Sequence, residues 1–132
     1  MIFIDSNVPM YLVGTDHPNK ELSRSALSRL VANAEVLVTD AEVLQEILHR
    51  YVAIDRRAAI DDAMAAIVGI IDEVFPIERT DVVRAKDVLV DSPLSARDAL
   101  HVAVMRRHGV DRILTFDTGF DSAPDLVRLP ET

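Results

Sequence analysis

The sequence predicts an α/β protein, a three-layer α/β/α sandwich on a mostly parallel sheet of five strands. Short apolar, β-branched runs alternate with longer stretches of helical periodicity, the pattern that crossover connections between parallel strands produce. The first of these runs is apolar without alternation, as in a strand covered on both faces. The chain has 132 residues, 49% hydrophobic and 27% charged. That suffices for one core and not for two, so a single domain over 1–132 is expected.

The first strand is Met1-Ile2-Phe3-Ile4, ending at Asp5. Arg112 to Phe116 has the same character and ends at Asp117. Glu35 to Thr39 and Val74 to Ile77 are weaker strands, and Leu126 to Leu129, bounded by Pro124 and Pro130, is the last. Between them, Leu22, Ala26, Leu27, Leu30 and Val31 form one helical stripe, and Val43, Leu44, Ile47, Leu48 and Tyr51 a second. Ile60, Ala63, Met64, Ile67 and Ile71 form a third. Val82 to Val90 reads as a shorter helix stopped before Pro93, and Ala96 to His108 as a nearly all-apolar helix closed by Gly109. No strong strand divides Ala41 to Ile71, so these residues are expected to form a two-helix excursion on one side of the sheet, suited to a dimer surface.

Composition narrows the chemistry. Without cysteine there is no disulfide scaffold, thiolate zinc site or cysteine nucleophile. Fourteen basic against 22 acidic side chains give a net charge of −8, which argues against a general polyanion-binding surface. A nucleic-acid substrate would need metal ions to offset that charge locally. The longest apolar run, Ala63 to Ile71, is about half the roughly 20 residues a membrane span needs, and no basic leader precedes an apolar stretch. The expectation is a soluble, unexported, cytoplasmic protein. Four glycines, with neither G-x-G-x-x-G nor a Walker lysine loop, give no nucleotide-phosphate cradle, and the few aromatics make no base-stacking platform.

Four acids occupy special places. Asp5 and Asp117 each follow an apolar strand, and ligands of open parallel sheets bind at the C-terminal strand ends; if the two strands are neighbours, the carboxylates converge. Capping a helix or turn is the bland alternative for each. Thr39-Asp40-Ala41-Glu42 matches a capping box, which gives Glu42 a structural task. Glu46 lies one turn further, near the Val43-Ile47 stripe; it either borders the core with a function or pairs at i, i+4 with Arg50. Asp98 opens a helix that is apolar on most sides and should be buried with it. Ser95-Ala96-Arg97-Asp98 is itself a capping box and Arg97 a neutralising neighbour, so a structural account of Asp98 also exists.

Carboxylates crowded into one crevice repel, and desolvation raises their pKa values unless a cation compensates. With no sulfur ligands, a hard ion such as Mg²⁺ or Mn²⁺ suits an all-carboxylate site. Such sites activate water and stabilise charge on a phosphate, so the expected reaction is metal-assisted phosphodiester or phosphoryl hydrolysis. Two other patterns compete. Asp5-Ser6-Asn7 resembles the start of an aspartyl-phosphate phosphatase but has Asn where that chemistry needs its second Asp, leaving Ser6 and Asn7 as turn or capping residues with a supporting bond to Asp5. Glu46 with His49 and Asp98 with His101 have the i, i+3 spacing of di-iron bundles, which lack buried strands. His17 and His108 read as capping or solvated residues. A binding module that keeps its acids for structure is the non-enzymatic alternative.

Ile2-Phe3-Ile4-Asp5-Ser6-Asn7, Gln45-Glu46-Ile47, Ser95 to Ala103 and Ile113-Leu114-Thr115-Phe116-Asp117, taken in order and spacing, resemble the PIN-domain ribonucleases and among them the VapC toxins of toxin–antitoxin pairs. The resemblance covers essentially the whole chain. It implies a metal-dependent endoribonuclease in which Asp5, Glu46, Asp98 and Asp117 bind Mg²⁺ or Mn²⁺, with Thr115, Ser6 and Asn7 in support. Asp121 is a second acid near the fourth position; Asp117 is favoured because it directly follows the strand. The resemblance further implies an RNA substrate, a homodimer and a VapB-type antitoxin, whose Arg or Lys would pair with the acidic pocket.

Overall fold

The computed structural model describes residues 1–130 and contains five strands, β1 (Ile2–Ile4), β2 (Leu37–Asp40), β3 (Glu73–Phe75), β4 (Arg112–Leu114) and β5 (Val127–Leu129). All pair in parallel, in the order β3-β2-β1-β4-β5. The central strand β1 has no solvent-exposed residue, whereas the edge strands β3 and β5 expose Val74 and Val127. That difference explains why β1 was plain in the sequence and β3 weak, with bounds displaced from the expected Val74 to Ile77. Six helices connect the strands: α1 (Asn7–Val13), α2 (Pro18–Ala32), α3 (Ala41–Ala53), α4 (Ile60–Val68), α5 (Arg79–Asp91) and α6 (Ala96–Arg107). The expected excursion over Ala41 to Ile71 is α3 and α4. Helix α1 was not foreseen, being too short to show a period; Asn7, expected in a turn, begins it, and Pro9 in its first turn needs no N–H partner.

The strand order fixes the layers. From β1 the chain steps to β2 and then to β3 in one direction, and right-handed crossovers put α1 to α4 on one face. From β3 it reverses past β1 to β4, which puts α5 and α6 on the opposite face, and these two helices pack on each other. The two directions part between β1 and β4, so the crevice of the sheet opens at their C-terminal ends. Ile113 and Leu114 of β4 lie beside Phe3 and Ile4 of β1, and the Asp5 N–H donates to the Leu114 carbonyl at 3.1 Å.

Helix starts correct one expectation. Thr39 is not the N-cap of α3. It is still in β2, where its hydroxyl donates to the Ile4 carbonyl at 2.8 Å, and Asp40 takes the cap by accepting from the Val43 N–H at 2.9 Å. Glu42 therefore completes no box and lies 3.6 Å from Arg97. The Ser95 cap forms as expected, its hydroxyl accepting from the Asp98 N–H at 3.1 Å. Helix α5 carries a capping box of its own between Glu78 and Asp81. Asp81 is buried, and Arg107 at the end of α6 grips it through two bonds of 2.7 and 3.0 Å while also donating to the Pro76 carbonyl. This clamp ties the end of α6 to the start of α5 on the second face. Arg107→Met strands a buried carboxylate and should lower the midpoint of urea unfolding, though by less than the loss of a fully enclosed pair because the arginine is partly exposed. An unchanged midpoint would show that the clamp contributes nothing.

Candidate active site

Asp5 follows β1 directly and is buried. Its carboxylate accepts from the Ser6 N–H at 2.7 Å, from the Thr115 hydroxyl at 2.7 Å and, more weakly, from the Asn7 amide at 3.5 Å. Thr115 follows β4 and crosses the same gap. Its oxygen accepts from Asn7 at 3.0 Å and from the Asp117 N–H at 3.0 Å. Asn7 returns its own oxygen to the Phe116 N–H at 3.3 Å. These bonds join the start of α1 to the loop after β4 across the point where the connections diverge, and they fix the Asp5 carboxylate on one edge.

Ser6 heads α1 but caps nothing; its hydroxyl donates to Glu46 at 2.8 Å instead. The other Glu46 oxygen is hydrogen-bonded to His101 Nε2. The alternative of a Glu46–Arg50 pair is not realised among the described residues, so the carboxylate of α3 faces the crevice. His101, fully enclosed in α6 and packed against Phe3 with ring centroids 5.4 Å apart, places Nδ1 2.7 Å from Asp40. Both ring nitrogens thus face carboxylate oxygens, an arrangement the doubly protonated ring satisfies as donor on each side. Burial works against that charge, but the bonds to Asp40 and Glu46 and the nearby Asp40 and Asp5 charges outweigh it and raise the histidine pKa well above its usual value. Neither Asp40 nor His101 was assigned to the site by sequence reasoning. The available signal was a histidine amid Ala99, Leu100, Val102, Ala103 and Val104, a setting that demands a buried partner.

Asp98 and Asp117 complete the crevice. Asp98 was expected to be buried and is half-buried, since it stands in the first turn of α6 at the crevice edge while enclosure begins at Ala99. Asp117 is exposed; it follows Thr115 and Phe116 rather than the strand end directly, and accepts from the Gly119 N–H at 2.8 Å. A Cβ on Gly119 would come within 3.0 Å of the Asp117 carboxylate, so glycine permits that approach. Asp121 is paired with Arg128 at 2.9 Å. His17 caps α2 as expected, and His108 ends α6, stacked on Phe75.

Electrostatics tie the acids together. Burial, opposed by His101 and the Thr115 hydrogen bond, pushes the Asp5 carboxyl above the ordinary range. Burial first, then the Asp5 and Asp117 charges, lift Asp98 to about 7 against the opposing effect of His101. Ligand atoms of Asp5, Glu46 and His101 lie within 4.8 Å of one another. With both its nitrogens engaged, His101 is not a ready ligand, and the donors left facing the crevice are carboxylate oxygens. An oxygen-only set under mutual repulsion fits a hard divalent ion.

Residues 2–126 match a family model described as PIN domain. Ribonuclease VapC13 of Mycobacterium tuberculosis is 58% identical over 98% of this chain and 99% of its own length. Two solved structures share the fold. VapC20 of M. tuberculosis, described as a Sarcin-Ricin loop cleaving toxin, has a TM-score of 0.70 at 24% identity, covering 93% of this chain and 95% of its own. VapBC2 of Rickettsia felis, bound to a DNA fragment from its promoter, has a TM-score of 0.75 at 13% identity and covers 97% of each chain.

A carboxyl whose folded pKa exceeds its unfolded value destabilises the fold when it ionises. In chelator, Asp98 should therefore make stability fall as pH rises from about 4 through about 7, and Asp98→Asn should flatten this part of the profile. Melting temperatures of the two proteins across that range check it. Parallel profiles would contradict the crowding of the carboxylates.

Proposed function

This chain belongs to the PIN-domain family and within it to the VapC ribonucleases, and from that premise we propose that Asp5, Glu46, Asp98 and Asp117 jointly hold a divalent ion, Mg²⁺ or Mn²⁺, at which RNA phosphodiester bonds are hydrolysed. The chain is a toxin endoribonuclease of the VapBC kind. The observation that carries the assignment of the site is the burial of Asp98 beside the Asp5 and Asp117 charges, which together raise it to about 7 in a crevice of oxygen donors. The pairing of Asp121 with Arg128 supports Asp117 as the fourth acid. A module keeping these acids only for structure would be better served by neutral amides, which do not repel.

A divalent ion bound there would acidify a water molecule and offset the negative charge on the phosphate. The protein's own part is positional. Thr115 and Asn7 hold the buried face of Asp5, Ser6 and His101 hold the two oxygens of Glu46, and Gly119 holds Asp117. The closed arrangement leaves little freedom to lose when substrate arrives, which is how orientation lowers a barrier.

The partner proposals rest on separate observations. An antitoxin is supported by the net charge of −8 and by the carboxylates of the crevice, to which an arginine or lysine of a partner would bind in competition with metal. A homodimer through Ala41 to Ile71 is supported by Leu48 and Val52 on α3 and Val68 on α4, which are apolar and exposed. Among the described residues no helix is long and apolar enough to cross a membrane.

Asp5→Asn is nearly isosteric and removes one ligand charge, so it should leave the fold intact and reduce RNA cleavage beyond the ~10–100-fold that loss of a supporting contact costs. Undiminished metal-dependent cleavage would overturn the role of Asp5. Mg²⁺ or Mn²⁺ at about 100 times Kd should add about 2.7 kcal/mol to native stability, read as a rise in Tm. Absence of ion binding by calorimetry at neutral pH would dispose of the metal site. Light scattering should give a dimer mass at micromolar concentration, and a monomer mass would count against the dimer. Expressed alone the chain should arrest growth, and co-expression of the adjacent small gene should relieve it.

A further inference from the structure

Beside the acidic crevice lies a second cavity of about 410 Å³, and its lining reverses the charge of the chain. Ser6 and Glu46 form its boundary with the crevice, and Arg50, Arg56 and Arg97 line it, while Glu46 is the one carboxylate among its lining residues. Arg50 and Arg56 are exposed and have no carboxylate partner among the described residues; Arg97 reaches only Glu42, at 3.6 Å. Both tyrosines of the chain, Tyr11 and Tyr51, line the same cavity. In a protein of net charge −8, the guanidinium groups of Arg50 and Arg56, gathered with that of Arg97 next to a cluster of acids, are not explained by ion pairing. Arg50 lies in the last turn of α3 and complements the helix dipole there, but that role does not extend to Arg56 beyond the helix or to Arg97 in the first turn of α6.

We propose that this cavity seats the RNA backbone adjoining the scissile bond, with Arg50 and Arg56, and Arg97 at the crevice side, binding a neighbouring phosphate. The inference rests on the reading of the acidic crevice as the cleavage site. The two sites divide the work by charge: the acids need a cation to tolerate any phosphate, and the arginines attract the next phosphate without one. The volume falls in the range of sites that take nucleotide-sized ligands. Planar guanidinium forks match phosphate oxygens, and a contact made to backbone alone carries no base preference. Tyr11 is held edge-on against Phe116 and Tyr51 is largely buried, so base stacking is not their role. Arg50 and Arg56 are positioning residues, remote from the reacting phosphorus.

The test is the double variant Arg50→Ala/Arg56→Ala, with Arg79→Ala/Arg84→Ala on the opposite face of the sheet as a control that removes the same charge. In the Asp5→Asn background, where bound RNA stays intact, the Kd of a fluorescent single-stranded RNA in Mg²⁺ should weaken about 10-fold. The slope of log Kd against log salt should fall by about 1.4, as expected for two lost contacts on a single strand. With Asp5 restored, KM should rise by a similar factor with kcat unchanged, and the Mn²⁺-induced rise in Tm should match wild type. The proposal is overturned by unchanged Kd and salt slope, by an equal loss in the control variant, or by loss of antitoxin binding with RNA affinity intact. Failure of the nuclease reading would show separately, as absence of RNA cleavage by the wild-type chain.

Discussion

Repulsion among carboxylates gathered at the C-terminal ends of β1 and β4 is the constraint around which the rest of the structure is arranged. The sheet order brings Asp5 and the Thr115–Asp117 loop side by side, and the helices bring Glu46 and Asp98 from the two opposite faces. Left alone, such a group would protonate or push apart. The fold instead fixes three of the four with specific donors: Thr115 and the Ser6 N–H on Asp5, Ser6 and His101 on Glu46, and the Gly119 N–H on Asp117. Asp98, with the raised pKa of about 7, is the member least compensated by protein groups. The proposed divalent cation would complete what the hydrogen bonds leave undone.

His101 links this crevice to the core. It stands in the most enclosed helix, touches Phe3 of the central strand, and lies between Asp40, which caps α3, and Glu46, one and a half turns further along the same helix. A single ring therefore sets the position of α3 against α6 and the direction of the Glu46 carboxylate. Removing either acid would leave one nitrogen of the buried ring without its partner and the charge only half compensated, which is costly in a low-dielectric interior. Structure and chemistry share these atoms, so substitutions here are expected to affect both. Charge is also separated along the surface. The acids face the crevice, and the arginines of α3, of the turn after it and of the first turn of α6 face the adjoining cavity, so the total of −8 conceals a local excess of positive charge.

Much of this was legible in the chain because the informative signals were local. Ile2-Phe3-Ile4 and Ile113-Leu114 declare buried parallel strands by unbroken apolarity, and an acid shortly after each is visible at a glance. Glu46 was set apart by its place near the Val43-Ile47 stripe, but spacing alone left it open to an Arg50 pair, and the capping box that gave Glu42 its task does not form. What stayed hidden depended on contacts distant in sequence. Thr39 looked like a cap because a strand end and a helix start share residues, and only its bond to Ile4, across the sheet, decides that Asp40 caps instead. The joining of Asp40 to His101 spans 61 positions, and no spacing rule predicts it. Arg50, Arg56 and Arg97 come from separate segments, and net charge, a sum over the whole chain, averaged them away.

In the proposed function the crevice is a cation site made of carboxylate oxygens, with His101 employed as a support and not as a ligand. Anomalous diffraction from a crystal grown with Mn²⁺ tests it most directly. A peak is expected among Asp5, Asp98, Glu46 and Asp117, with His101 still bonded to Asp40 and Glu46. A crevice without a peak, or an ion held by a His101 ring turned away from Asp40, would contradict it.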